Sequence, residues 1–141
     1  MSRHRRSSRI LAMQTLCQWE VQGDASSEAL AEFLAVQDAA PDATAYATEL
    51  VQAFWRKRGE IDQRIASASI KWDLARISPV ERNVLRTAIV ELLGGDIPAK
   101  VVLDEAIEIG REYGGADSPR FINGVLDAVF QGIGAELGKN G

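Results

Sequence analysis

Apolar residues recur along this chain at three- and four-residue intervals, and no stretch of strand length alternates apolar with polar. Ile10, Met13, Cys17 and Val21 trace the first such stripe, with Ser7 or Ser8 as its N-cap and Gly23-Asp24 as its stop. A short helix from about Ser27 to Val36 carries Leu30, Phe33 and Leu34 and ends before the Pro41-Asp42 break. Ala47, Leu50, Val51 and Phe54, then Ile61, Ile65 and Ala68, continue the pattern across an interruption near Arg58-Gly59. They form one long helix or two.

The second half is punctuated more sharply. In "SPVE", Ser78 is an N-cap, Pro79 occupies the first helical position and Glu81 completes a capping box. That helix buries Val84, Leu85, Ala88, Ile89 and Leu92 and stops at Gly94-Gly95. Pro98 opens the next, where Val102, Ala106, Ile109, Gly110 and Tyr113 share a face as far as Gly114-Gly115. Ser118-Pro119 opens the last, with Ile122, Val125, Leu126, Val129, Phe130 and Ile133 on one stripe. Asn123-Gly124 would signal a hairpin between strands. Here it is read as a helical glycine kept for close packing, at a cost of about 1 kcal/mol relative to alanine. The expectation is an all-α, single-domain bundle of six or seven helices: a basic arm at 1–9, a helical domain at 10–137 and a flexible tail at 138–141.

Composition narrows the class. The 141 residues suit one core, and 46% hydrophobic with 26% charged residues is ordinary for a globular domain. Polar residues such as Gln14, Gln18 and Glu20 interrupt every apolar stretch, so no membrane span or secretory core is expected, and the address is cytoplasmic. The Arg- and Ser-rich start imitates a transit peptide but runs straight into a patterned helix. Cys17 is the only cysteine and His4 the only histidine, which removes disulfide frameworks, Cys/His zinc sites and histidine-based triads.

Charge is sorted along the chain. Arg3, Arg5, Arg6 and Arg9 face no acid within the first nine residues, whereas the remainder carries 12 basic against 20 acidic residues, for a net charge of −4 overall. Such an arm is either a solvated terminus or an arginine-rich segment that folds onto RNA phosphates. The choice of arginine favours the second, because the guanidinium forks onto phosphate oxygens and stacks on bases. Arg82 and Arg86 share a helical face and read first as solvated. "GREYGGADSPRF" sets Arg111, Tyr113, Arg120 and Phe121 around a glycine turn, a combination suited to splayed single-stranded bases, although each aromatic alone reads as core. "WRKRG" reads as helix C-terminal charge, and Asp104, Glu105 and Glu108 as solvated surface. Cys17 reads as a buried structural thiol. The paired glycines fit neither dinucleotide nor P-loop spacing. No catalytic, metal or cofactor site is expected.

Taken together, the basic arm followed by "RILAMQTLCQWE", then "ERNVLRTAIVELL", "IPAKVVLDEAIEIGREYG" and "SPRFINGVLDAV", resembles the NusB family of transcription antitermination factors, in order and spacing. The likeness is strongest from Ser78 to Val129. It implies a non-enzymatic protein that binds the boxA element of ribosomal RNA leader transcripts, pairs with NusE, a small-subunit ribosomal protein, and joins the elongating RNA polymerase with other Nus factors. It also implies an RNA face made of Arg5, Arg6 and Arg9 with Arg86, Tyr113, Asp117, Ser118, Arg120 and Phe121, and a partner face made of Cys17, Val21, Val80 and Glu81. Glu81 would then be both cap and partner contact, and Asp117 both turn residue and brake on RNA affinity. The chain departs from the family pattern at Cys17, where tyrosine is common, and at Ser7, where the arm often has arginine.

Two other readings remain at this point. A similar helical domain precedes the catalytic domain of certain ribosomal-RNA cytosine methyltransferases, but no Rossmann-type loop or catalytic cysteine motif occurs here. A homodimeric protein-interaction module is the other. The RNA reading further expects the arginine arm to converge with the turn before the last helix into one cradle.

Overall fold

The computed structural model describes residues 5–69 and 73–140, with side chains as far as residue 136. The expectations for Arg3, His4 and Gly141 lie outside that range. Among the described residues seven α-helices follow in order: α1 (Arg5–Gln22), α2 (Ser27–Ala35), α3 (Pro41–Arg56), α4 (Arg58–Ala68), α5 (Pro79–Gly94), α6 (Ala99–Tyr113) and α7 (Ser118–Asn140), with a 3-10 turn at Leu74–Arg76 before α5. No strand occurs among the described residues, and no described helix is long and apolar enough to cross a membrane.

Helix α5 is the axle of the bundle, packing against α1, α3, α4, α6 and α7. Its residues from Asn83 to Ile89 are all buried, so the polar ones among them must find internal partners. Leu85 and Ile89 meet Leu16, Phe54, Ile61, Ile65, Ile122 and Leu126 in one continuous core. The ends of α5 are set locally. Ser78 Oγ accepts from the Glu81 amide at 3.3 Å, and Gly95 closes the helix at φ 75°, a left-handed conformation natural to glycine.

The structure corrects several details of the sequence pattern. No cap forms at Ser7 or Ser8: α1 already includes Arg5, Arg6 and Arg9, and Ser8 is buried and donates to the Ala43 carbonyl at 2.9 Å. The long central stripe is two helices, broken at Lys57. Val21 and Phe130, on the apolar stripes of the first and last helices, are 83% and 43% exposed, because their stripes run beyond the surface that covers them. Gly124 does lie within a helix, but a Cβ there would touch nothing. Close approach is made instead at Gly110, where a Cβ would collide with the Ile122 Cδ1 atom of α7, and at Gly114, where it would meet the Ser118 side chain and the Gly110 carbonyl. Helix α7 continues to Asn140, through most of the expected tail.

Candidate nucleic-acid interface

At the start of α1 the arginines are already engaged by acids. Arg9, 6% exposed, donates from Nε to Glu91 Oε1 at 2.8 Å and from Nη2 to Glu91 Oε2 at 3.1 Å, with Nη1 reaching Glu105 Oε1 at 3.2 Å. Arg6 grips Glu105 with Nε at 3.1 Å and with Nη2 on the second oxygen. Arg5 stacks its guanidinium 3.6 Å from the Tyr46 ring centroid, and the Tyr46 hydroxyl donates to Glu91. The Arg6 hydrogen bond, more than any other influence, holds the Glu105 carboxyl below the usual carboxylate range. Burial and the Glu91 hydrogen bond push the Tyr46 phenol well above its ordinary value. Glu105 is therefore not the solvated acid its sequence context suggested, and Arg9 is an internal strut joining α1, α5 and α6.

Arg86 is a second strut. Only 4% exposed, it donates to Asp62 Oδ1 and Oδ2 at 2.9 and 3.0 Å and to Asn83 Oδ1 at 3.0 Å, and lies 4.8 Å from the Phe54 ring centroid. Arg82 bonds Glu20 at 2.8 Å and the carbonyls of Leu74 and Ile77. The solvated-face reading of this pair does not hold: both guanidiniums tie neighbouring segments to α5.

The turn between α6 and α7 is different. Arg120 is exposed and has no ion pair among the described residues, Asp117 is exposed, and Tyr113 is 39% exposed rather than core. Phe121 is half-buried and, with Arg76, Ile77, Glu81 and Asp117, lines a surface cavity of about 240 Å³. Ser118 is only 2% exposed: its hydroxyl accepts from the Gly115 amide at 2.9 Å and donates to Glu81 Oε2 at 2.7 Å. Glu81 takes a further hydrogen bond from Ser78 Oγ at 3.0 Å, so one carboxylate fastens the start of α5 to the start of α7.

The expected partner residues form a patch beside this turn. Cys17 Sγ lies 3.6 Å from the Pro79 carbonyl, next to Val80 and Glu81, and Val21 stands one helical turn further along the same face of α1. The Cys17 thiol, raised chiefly by burial, stays protonated at neutral pH. The two arginine-bearing regions, in contrast, share no hydrogen bond or ion pair among the described residues. Arg9 is anchored at Glu91 and Ser118 at Glu81, ten residues apart on α5 or about 15 Å at 1.5 Å per residue. Between them the outer surface of α6 presents Glu108 and Glu112 as well as Arg111, which pairs with Glu108.

Sequence reasoning missed the acids that engage these arginines: Glu91, Glu105, Asp62 and Glu20. Glu91 left a trace, since it stands three residues after the buried Ala88 on a helix that is interior on nearly every side.

The model of the NusB family matches residues 6–131. The chain belongs to the NusB family. It is 39% identical over 132 residues to the transcription antitermination protein NusB of Syntrophus aciditrophicus, spanning 93% of this chain and 82% of that one. Among solved structures it superposes on T. maritima NusB with a TM-score of 0.81 at 35% identity, covering 93% of each chain. A chain from the crystal structure of the antitermination factors NusB and NusE in complex with double-stranded RNA gives 0.83 at 28% identity, covering 94% of this chain and 99% of that one. The NusB-family fold therefore runs through α1 to α7, including both the internally paired arginines and the open turn.

Proposed function

We propose that this NusB-family protein is a non-enzymatic, cytoplasmic transcription antitermination factor. It recognises single-stranded boxA-type RNA together with NusE, and supports processive ribosomal RNA transcription alongside RNA polymerase and the other Nus factors. The observation that carries this reading is the α6–α7 turn, where Arg120 is exposed with no ion pair among the described residues, the ring of Tyr113 is 39% exposed, and Phe121 and Asp117 line an open cavity with Arg76, Ile77 and Glu81. Unstacked bases bind such surfaces by stacking, while arginine takes the phosphates. Family membership and the likeness to a chain from a complex of NusB and NusE with double-stranded RNA support the RNA-binding and NusE-pairing parts of this assignment.

Within this reading, Tyr113, Asp117, Arg120 and Phe121 face RNA directly, joined by the outward Arg5 and Arg6. Arg9, Arg86 and Ser118 serve the face from inside, by holding the helices that present it. Cys17, Val21, Val80 and Glu81 form the NusE face, whose exposed Val21 is an apolar group that a partner would cover.

The test is a titration of single-stranded boxA-like RNA, with a duplex of the same sequence as comparison, with and without NusE at two salt concentrations. Tighter binding to the single strand, strengthened by NusE and weakened by salt, is expected. Three phosphate contacts, from Arg5, Arg6 and Arg120, would give a logarithmic salt slope of about −2.1, at about −0.7 per contact. Binding that ignores salt, or that NusE leaves unchanged, would overturn the proposal.

A further inference from the structure

Glu105 holds more positive charge than the packing of α1 requires. Arg9 is already gripped at both edges of the Glu91 carboxylate, so its 3.2 Å bond to Glu105 is supplementary. Among the described residues Arg6 bonds no other carboxylate. It gives Glu105 its Nε and Nη2 atoms, the edge of a guanidinium that forks onto two oxygens of a phosphate. The pair is placed asymmetrically: the Arg6 side chain is 51% exposed and that of Glu105 only 18%. A ligand arriving from solvent meets the arginine, while the acid stays seated on α6. Glu108 and Glu112 add to the negative field around Arg6.

We propose that Glu105 is an affinity-setting residue for RNA: its carboxylate takes the place of a backbone phosphate on Arg6, and RNA reaching this end of the bundle must exchange with it. The inference rests on the RNA-binding role proposed above and adds a residue outside the expected RNA face. Exchange is accessible because a half-exposed ion pair is weakly held in water. It also makes contact at this end conditional on RNA that is already engaged elsewhere, as at the α6–α7 turn some 15 Å away along α5, an estimate from about 1.5 Å per residue.

The experiment compares the wild type with Glu105→Gln, Arg6→Ala and the double variant, each binding a short U-rich single-stranded RNA at two salt concentrations, with thermal unfolding of every variant. Glutamine keeps the shape and still accepts from Arg9, so the fold is expected to persist. Glu105→Gln should bind about threefold more tightly, the weight of a partly exposed ion pair. Its salt slope should steepen by up to about 0.7, the share of one phosphate. The gain should vanish in the Arg6→Ala background. An equal gain with and without Arg6 would reduce Glu105 to a general repulsive charge, and weaker binding at an unchanged melting temperature would make it a support for Arg6; either result overturns the exchange. A wild type that shows no salt-dependent RNA binding would instead sink the RNA reading itself, and the exchange with it.

Discussion

The start of α1 and the turn between α6 and α7 both combine arginine with an aromatic ring, yet they are physically unlike. At the first, Arg6 and Arg9 are neutralised by Glu91 and Glu105 and Arg5 lies on Tyr46. At the second, Arg120 is unpaired among the described residues and Phe121 borders a cavity. The more basic stretch of sequence is thus the less available one. A cationic run marks a binding face only where its own fold leaves the charge unspent, and the contrast can be pressed experimentally at each end.

The largest effect should come from Glu91→Ala. It strips the main partner from a guanidinium that is 7% exposed and removes the acceptor of Tyr46. Breaking a buried pair from one side costs about 3 kcal/mol or more, which denaturant unfolding would register as a lower midpoint. Phe121→Ala should cost RNA binding about 1–3 kcal/mol, the usual worth of an aromatic–base stack, with a much smaller change in stability because the ring is only half-buried. Asp117→Asn should tighten RNA binding a few-fold by removing an exposed acid beside Arg120 and Phe121, checked by titration at fixed salt.

The smallest effect concerns pH. Glu105 is held below the usual carboxylate range, so its contribution to stability is present above the unfolded-state value of about 4.3 and is lost as pH falls through the lower folded-state value. Glu105→Gln should therefore lower stability slightly at neutral pH, flatten the acid limb of the profile, and leave stability below the folded-state value nearly unchanged.

What the sequence made legible was whatever local chemistry decides. The cap at Ser78, the proline starts and the glycine stop at Gly95 involve residues a few positions apart, and the structure bears them out. The start of α1 was misread because the Ser8 hydroxyl bonds a carbonyl 35 residues away. Arg9 and Arg86 were read as outward for the same reason, since their partners lie 82, 96 and 24 residues distant. Gly110 and Gly124 make the same point in miniature. Both sit inside helices, and only the position of Ile122 on the facing helix tells which one the packing needs. The open turn was the more readable half of the candidate site, because Tyr113, Asp117, Arg120 and Phe121 cluster within nine residues of chain.

The central claim is that RNA meets the α6–α7 turn directly while the buried arginines remain spectators. It is tested most directly by nuclear magnetic resonance titration with single-stranded boxA-like RNA. Backbone amides from Gly114 to Phe121, Pro119 apart, are expected to shift as RNA is added, while the Nε–H signals of Arg9 and Arg86 stay in place. Large movement of the Arg9 and Arg86 signals over a silent turn would contradict it.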